Sequence, residues 1–125
     1  MKKYPVRCPV SSYLCVMDGH WKPMIVWYTR KKSQRFKDYL ELLPDISSKV
    51  LTEQLKELEE DNIIVRTAFK EAPPRVEYSL TGYGITLVPV VASLREWGFK
   101  HLQVNPKILH KKSEWVNKLN QPLNG

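Results

Sequence analysis

Cys8 stands between Arg7 and Pro9, and a proline at the first position of a helix makes the residue before it the cap. A thiol at that cap faces the positive end of the helix dipole and the unpaired backbone N–H groups of the first turn, which favour a thiolate. Arg7, Lys2 and Lys3 add positive charge nearby. The thiolate is the nucleophilic form, so Cys8 is the candidate for oxidation or alkylation; the plainer alternative is a small residue kept for packing. Cys15 is seven positions further on. That is ~10.5 Å along an intact helix, whereas a disulfide needs Cα atoms within ~7 Å, so the pair does not bridge within one helix. Oxidation of Cys8 would then give an intersubunit or a mixed disulfide, and reaction with an electrophile would give an alkylated thiol. Flanked by Leu14 and Val16, Cys15 reads as a core residue.

Other reactive constellations are missing from the sequence. His20, His101 and His110 are scattered, no nucleophile, base and orienting group recur together, and there is no glycine-rich phosphate loop. Glu59 and Glu60 are adjacent and point in different directions on a helix, unlike an acid and base flanking one substrate. Two cysteines without paired spacing do not make a zinc site. An enzyme is not expected, nor a metal or other cofactor.

Recognition chemistry is better represented. Ser47, Ser48, Lys49, Thr52, Glu53 and Lys56 carry hydroxyl, ammonium and carboxylate groups within little more than two helical turns. Arg30, Lys31, Lys32, Arg35 and Lys37 form a basic run shortly before them, and Lys70 and Arg75 flank a proline pair further on. The whole chain has 20 Lys and Arg against 13 Asp and Glu, a formal charge of +7, which suits a polyanionic partner. Nucleic acid leads over an anionic membrane surface. The longest nearly apolar stretch, Ile85 to Leu94, is well short of the ~20 residues of a bilayer span. The basic N-terminus is followed by no apolar run or small-residue cleavage site, so a cytoplasmic location is expected.

The elements that must position these groups follow from periodicity. Pro9 starts a short helix through Val10, Tyr13, Leu14 and Met17, stopped by Asp18 and Gly19. Trp21, Met24, Ile25, Trp27 and Tyr28 make a second helix, entered at Pro23 and left through Arg30, Lys31 and Lys32. Phe36, Tyr39, Leu40 and Leu43 share one face of a third helix that Pro44 ends. A short turn with two possible caps, Ser47 and Ser48, leads into a fourth helix to Asp61 with Leu51, Leu55 and Leu58 on one face. The third and fourth helices form a helix-turn-helix. Ile63 to Phe69 and the alternating Arg75 to Leu80 predict a β-hairpin with a proline-containing tip. Thr81 then caps a long helix with Leu87, Val90, Val91, Leu94 and Trp97 along one stripe, kinked at Pro89 and broken or weakened at Gly98. A basic tail has room for one more short helix around Pro106 to Leu119. The expected fold is mainly α with a β-hairpin wing: one domain, a winged helix-turn-helix over 8–102, with an arm at 1–7 and a basic extension at 103–125.

On the fourth helix, with Leu51 at zero and 100° per residue, Leu55 and Leu58 lie within about 40°, whereas Thr52, Lys56 and Lys49 fall at roughly 100° to 160°. The core face and the polar face are separate. In helix-turn-helix proteins the N-terminal part of the second helix reaches base edges, which makes Ser47, Ser48, Lys49, Thr52 and Glu53 the readout candidates and Lys56 a phosphate contact. Glu57, Glu59, Glu60 and Asp61 would be repelled by phosphate, so the N-terminal end leads. Arg35 and Lys37 on the preceding helix, with Lys70 and Arg75 at the wing, supply backbone contacts.

Several strings also carry a family resemblance. Cys8-Pro-Val, Trp21-Lys22-Pro23, Arg35-Phe36, Leu43-Pro44-Asp45-Ile46-Ser47, Leu51 to Asp61, Pro73-Pro74-Arg75-Val76-Glu77-Tyr78-Ser79-Leu80-Thr81 and Glu96-Trp97-Gly98 closely resemble the HxlR-type winged-helix regulators in order and spacing, from about Cys8 to Leu102. The resemblance implies a homodimer joined through the terminal helices, with Leu87, Val91, Leu94 and Trp97 at the interface, on a pseudopalindromic duplex operator. It also implies that Cys8 matches a position where several such regulators sense oxidants or electrophiles such as quinones and aldehydes. His20, Ser48 and Glu53 depart from the family's common residues, so no relative's base preference is carried over, and the tail beyond Leu102 lies outside the shared pattern. Three other readings stay open: a small-molecule effector lined by Trp21, Tyr28, Trp97 and Phe99, a DNA architectural protein without sequence preference, and a protein-interaction module.

Overall fold

Proline opens two of the first three helices. In the computed structural model, which describes residues 5–119, α1 (Pro9–Val16) and α2 (Lys22–Thr29) each carry proline at a first-turn position that needs no N–H partner. Gly19 between them has φ +87, a conformation that side chains with a Cβ rarely adopt. α3 (Phe36–Leu42) starts where the Asp38 carboxylate accepts the Arg35 backbone N–H at 2.8 Å, and ends at Leu43 before Pro44. α4 (Ser48–Glu60) follows after a five-residue connection, Leu43 to Ser47. Asn62 then takes φ 60, and the Ile63 N–H bonds the Leu58 carbonyl at 2.9 Å, closing the helix end.

Two antiparallel strands, β1 (Ile64–Phe69) and β2 (Arg75–Leu80), pair from Ile64 opposite Leu80 to Phe69 opposite Arg75. Gln34 adds a bridge the sequence did not suggest. Its backbone N–H and carbonyl exchange hydrogen bonds with Tyr78 at 2.9 and 2.8 Å, so the segment before α3 lies along β2. The base of the hairpin is thereby tied to the helix-turn-helix. α4 packs on α3 and β1, and α2 on α3 and β2.

Cys15, Met17, Ile25, Val26, Tyr39, Leu43, Leu51, Leu55, Leu58, Ile63 and Ile64 are buried in this part of the chain. Cys15 is thus the core residue expected, while Val10 and Leu14 of the same helix are exposed. Between α2 and α3 the Thr29 hydroxyl donates to the Ile25 carbonyl at 2.7 Å and accepts from the Tyr39 hydroxyl at 2.6 Å. Burial pushes the Tyr39 phenol up to about 12, so it stays a donor.

Four expectations for the C-terminal region need correction. Thr81 caps not the long helix but a single turn, α5 (Gly82–Ile85), where its Oγ1 accepts the Gly84 N–H at 2.8 Å. The long helix, α6 (Val88–Val104), starts separately, with Pro89 in its first turn and not as an internal kink. The reason lies in Pro89 itself: a helix continuous from Gly82 would need an N–H from it to the Ile85 carbonyl, and proline has none. Gly98 does not break α6, because the ~1 kcal/mol that glycine costs in a helix is small beside burial of the adjacent Phe99. The tail forms two short 3₁₀ turns, Pro106–Ile108 and Glu114–Asn117, in place of a helix.

The chain divides into two compact units at Val88 and Pro89. In the second, the tail returns to α6: the Trp115 and Phe99 rings meet edge to face at 5.5 Å, and Arg95 lies 5.0 Å from the Trp115 ring. Gln103 Nε2 donates to the Leu119 carbonyl at 2.7 Å. Among the described residues no helix is long and apolar enough to cross a membrane.

Candidate nucleic-acid interface

Of the two serines that could cap α4, Ser47 is the one that does. Its Oγ accepts the Val50 N–H at 3.1 Å, which leaves Ser48 as the first helical residue. Ser47, Ser48, Lys49, Thr52, Glu53 and Lys56 are all exposed, and Leu51, Leu55 and Leu58 are all buried. Six candidates from the sequence therefore share the solvent side of one helix. Lys49 and Lys56 make no ion pair among the described residues, so their ammonium groups are available. Thr52 is more restricted: its hydroxyl donates to the Ser48 carbonyl at 2.8 Å. Toward a base it offers lone pairs and a methyl group, not a proton.

Lys37 on α3 is exposed, and Arg35 at its cap is half-buried. The two wing candidates differ more sharply. Lys70 is exposed, whereas the Arg75 guanidinium sits 3.0 Å from Glu71 and 3.3 Å from Glu77 and lies over the Phe69 ring at 4.2 Å. Its charge is largely answered within the hairpin. Glu77 is itself held by Ser33, whose Oγ donates to Oε1 at 2.6 Å. Arg66, exposed in the middle of β1, is a further wing cation outside the set expected from the sequence. An arginine in a strand otherwise composed of Ile, Val, Thr, Ala and Phe was the available signal.

Cys8 occupies the cap of α1 with extended backbone (φ −157, ψ 164) and an exposed side chain. Its Sγ lies 3.5 Å from Ser11 Oγ. The Ser11 hydroxyl first, then the backbone N–H groups of Ser11 and Val10, hold the thiol below its usual range. Lys22, read from the sequence only as part of a motif, is buried and bonded to Asp18 and Glu57. No local pattern announces such a lysine, because Glu57 is remote in sequence.

Of the four residues expected at a dimer interface, Leu94 and Trp97 on α6 are exposed, at 49% and 68%. Leu87 is half-buried, and Val91 is buried within the protomer at 5%. Val90 and Val104 are exposed apolar residues of the same helix. Trp97 stacks on His101 at 5.0 Å, and Phe99 is taken up against Trp115.

A helix-turn-helix followed by a two-stranded hairpin, with a polar face on its second helix, defines a winged helix-turn-helix domain. A model of the HxlR-like helix-turn-helix family matches residues 16–106. The chain is 42% identical over 94 residues to the HTH-type transcriptional regulator YdeP of Bacillus subtilis (strain 168), spanning 75% of this chain and 73% of the relative. Its structure is similar to the redox regulator HypR in its reduced form, with TM-score 0.75 and 38% identity over 80% of this chain and 99% of that one. It is also similar to the reduced form of the transcriptional regulator YodB from B. subtilis, with TM-score 0.65 and 34% identity over 74% and 91%. The chain belongs to the HxlR-like helix-turn-helix family and is a transcriptional regulator of the helix-turn-helix type.

Proposed function

We propose that the protein acts as a homodimer that binds a pseudopalindromic duplex operator, with Ser47, Ser48, Lys49, Thr52 and Glu53 reading bases and Lys56, Arg35, Lys37, Lys70 and Arg75 contacting the backbone. The observation that carries this reading is the capped start of α4, where an exposed polar face lies opposite a buried leucine stripe. The first-turn N–H groups that the Ser47 cap leaves unbonded add a partial positive charge, so the same end suits both phosphate and base edges. The exposed Leu94 and Trp97 support pairing of protomers through α6, and the half-buried Leu87 completes the proposed interface; Val91 contributes less because its own protomer already covers it. The winged-helix domain occupies 8–102, the arm 1–7, and the basic extension 103–125. The protein works in the cytoplasm, beside the DNA it regulates.

The signal we propose is chemical modification of Cys8 by a small oxidant or electrophile. Support comes from its exposed cap position, its lowered thiol pKa and the likeness to the redox regulator HypR. Because Cys15 is buried, an oxidant would join Cys8 to the partner's Cys8 or to a low-molecular-weight thiol, two thiols giving one disulfide while the oxidant takes two electrons and two protons. An electrophile would instead form a carbon–sulfur bond on the thiolate. Either change at the base of α1 could tilt one reading helix against the other and misalign half-sites spaced about 34 Å apart.

Footprinting on the DNA immediately upstream of the gene tests the proposal. Two protected patches about one helical turn apart, lost after diamide or quinone treatment and retained in treated Cys8→Ser, are expected. Protection indifferent to treatment would remove the thiol switch and leave the regulator. Absence of protection there and at other genomic sites would remove the operator-binding reading.

A further inference from the structure

Lys22 opens α2, yet its side chain is only 1% exposed. Its Nζ donates to Asp18 Oδ1 at 3.0 Å, in the turn that follows α1, and to Glu57 Oε1 at 2.6 Å, on α4. One ammonium therefore joins three parts of the chain: the turn after α1, the start of α2 and the third turn of α4. Gln54, one turn earlier on α4, buries its Oε1 beside the same connection, about where a Cβ on Gly19 would reach it at 4.0 Å.

Stability alone is a weak explanation for this set. Desolvating an ammonium is expensive, and buried ion pairs often break even against apolar residues of the same shape. What the set does supply is direction. Around α4, Leu55 and Leu58 lie within about 40° of Leu51, and Thr52 lies at about +100°; Glu57 falls at about −120°, on the opposite flank. The leucine stripe is a non-directional contact along one line of the helix, and a cylinder resting on one line can roll. A short ion pair at a second line, well away from the first, opposes that roll. A roll of about 10° carries a side chain 5–6 Å from the axis through about 1 Å, twice the ~0.5 Å range of normal hydrogen-bond lengths.

We propose that Lys22 is a positioning residue for DNA recognition: with Asp18 and Glu57 it sets the roll of α4 and so the aim of Ser48, Lys49, Thr52 and Glu53. This rests on the reading of α4 as the base-reading helix. The consequence is specific. Loss of the set degrades discrimination between sequences while leaving attraction to phosphate intact, since backbone contacts tolerate a small roll and bidentate base contacts do not.

Two variants test it, Glu57→Gln and the neutral triple Asp18→Asn/Lys22→Met/Glu57→Gln. Each is compared with wild type for dissociation constants on the footprinted upstream DNA and on a scrambled duplex, with the salt slope and the thermal melt recorded alongside. The expected result is a native melt, affinity for scrambled DNA within about threefold of wild type, and a specific-to-scrambled ratio reduced at least about tenfold in the triple and less in Glu57→Gln. A folded triple with the wild-type ratio, or equal losses on both duplexes, would overturn the proposal. Should the triple not fold, Glu57→Gln decides by the same criterion, because it leaves Lys22 paired with Asp18 and keeps an acceptor on α4. A wild type that does not separate the two duplexes sinks the recognition reading itself, and the proposal falls with it.

Discussion

Ser47 Oγ accepts the backbone N–H of Val50 at 3.1 Å, and that bond decides where α4 begins. Replacing Ser47 with Ala is expected to lower the free energy of unfolding by about 1 kcal/mol, read from urea denaturation. Asp at the same position should keep the cap and restore stability, yet bind DNA more weakly because its charge faces phosphate. A Ser47→Asp protein that binds as tightly as wild type would place the Ser47 side chain away from the DNA backbone.

Thr52 gives its proton to the Ser48 carbonyl, so its contribution to a base is limited to lone pairs or the methyl group. Thr52→Val preserves shape and methyl, and Lys49→Ala removes an unpaired ammonium. We expect Lys49→Ala to weaken specific binding by about 1–3 kcal/mol and scrambled binding much less. Thr52→Val separates the two modes: a loss of similar size assigns an accepted hydrogen bond, and an unchanged affinity assigns methyl contact.

The wing makes a prediction about salt. Arg75 is occupied by Glu71 and Glu77, while Lys70 is exposed. Lys70→Ala should reduce the slope of log K against log salt by about 0.9, the value for one phosphate contact, and Arg75→Ala by clearly less. Glu77→Gln, which loosens the hold on Arg75, should raise the slope. A full-unit loss in Arg75→Ala would mean that the guanidinium leaves its carboxylates for DNA.

Gly84 lies so close to the Ile63 backbone that a Cβ on it would stand 2.1 Å from the carbonyl oxygen. Gly84→Ala must push α5 off the start of the hairpin and is expected to cost about 1–3 kcal/mol or more, measured by thermal or urea unfolding. Gly82→Ala, where a Cβ meets nothing within 4 Å, should be close to neutral. Equal stabilities for the two variants would contradict the close approach.

For Cys8 the sign runs toward the thiolate. Its pKa is lowered, with the Ser11 hydroxyl the largest cause, so at neutral pH it carries more thiolate than an ordinary cysteine. Alkylation by iodoacetamide at pH 7 should be faster in the folded protein than for Cys8 in denaturant, and the thiolate-fraction advantage should disappear above the normal thiol pKa, where both forms are ionised. Ser11→Ala should slow the reaction at pH 7. Cys15, fully buried, should react only on unfolding.

The helix-turn-helix and the hairpin were legible because their signals are local and periodic. Phe36, Tyr39, Leu40 and Leu43 repeat at helical spacing, Ser47 is a strong cap, and Arg75 to Leu80 alternates; the observed strand β2 runs between those same two residues. The features that escaped depend on residues remote in sequence. Gln34 pairs with Tyr78 through its backbone, which no side-chain pattern reveals. Lys22 looks like a surface lysine until Glu57, 35 residues away, closes over it. The break before α6 was readable in principle, since Pro89 cannot donate to Ile85, but the continuous apolar stripe from Leu87 to Trp97 outweighed it. Of the expected interface, the pattern placed Val91 beside Leu94 and could not tell a residue buried within one protomer from one left exposed.

Reading of DNA sequence by the N-terminal end of α4 is the core of the proposed function. Its most direct test is a salt titration of wild type and Lys49→Ala on the upstream DNA and on a scrambled duplex. A wild-type gap of about 4–10 kcal/mol between the two duplexes is expected, narrowed by about 1–3 kcal/mol in Lys49→Ala with nearly parallel salt slopes. A gap that Lys49→Ala leaves intact, with affinity for both duplexes falling together, would contradict it and reduce α4 to a phosphate contact.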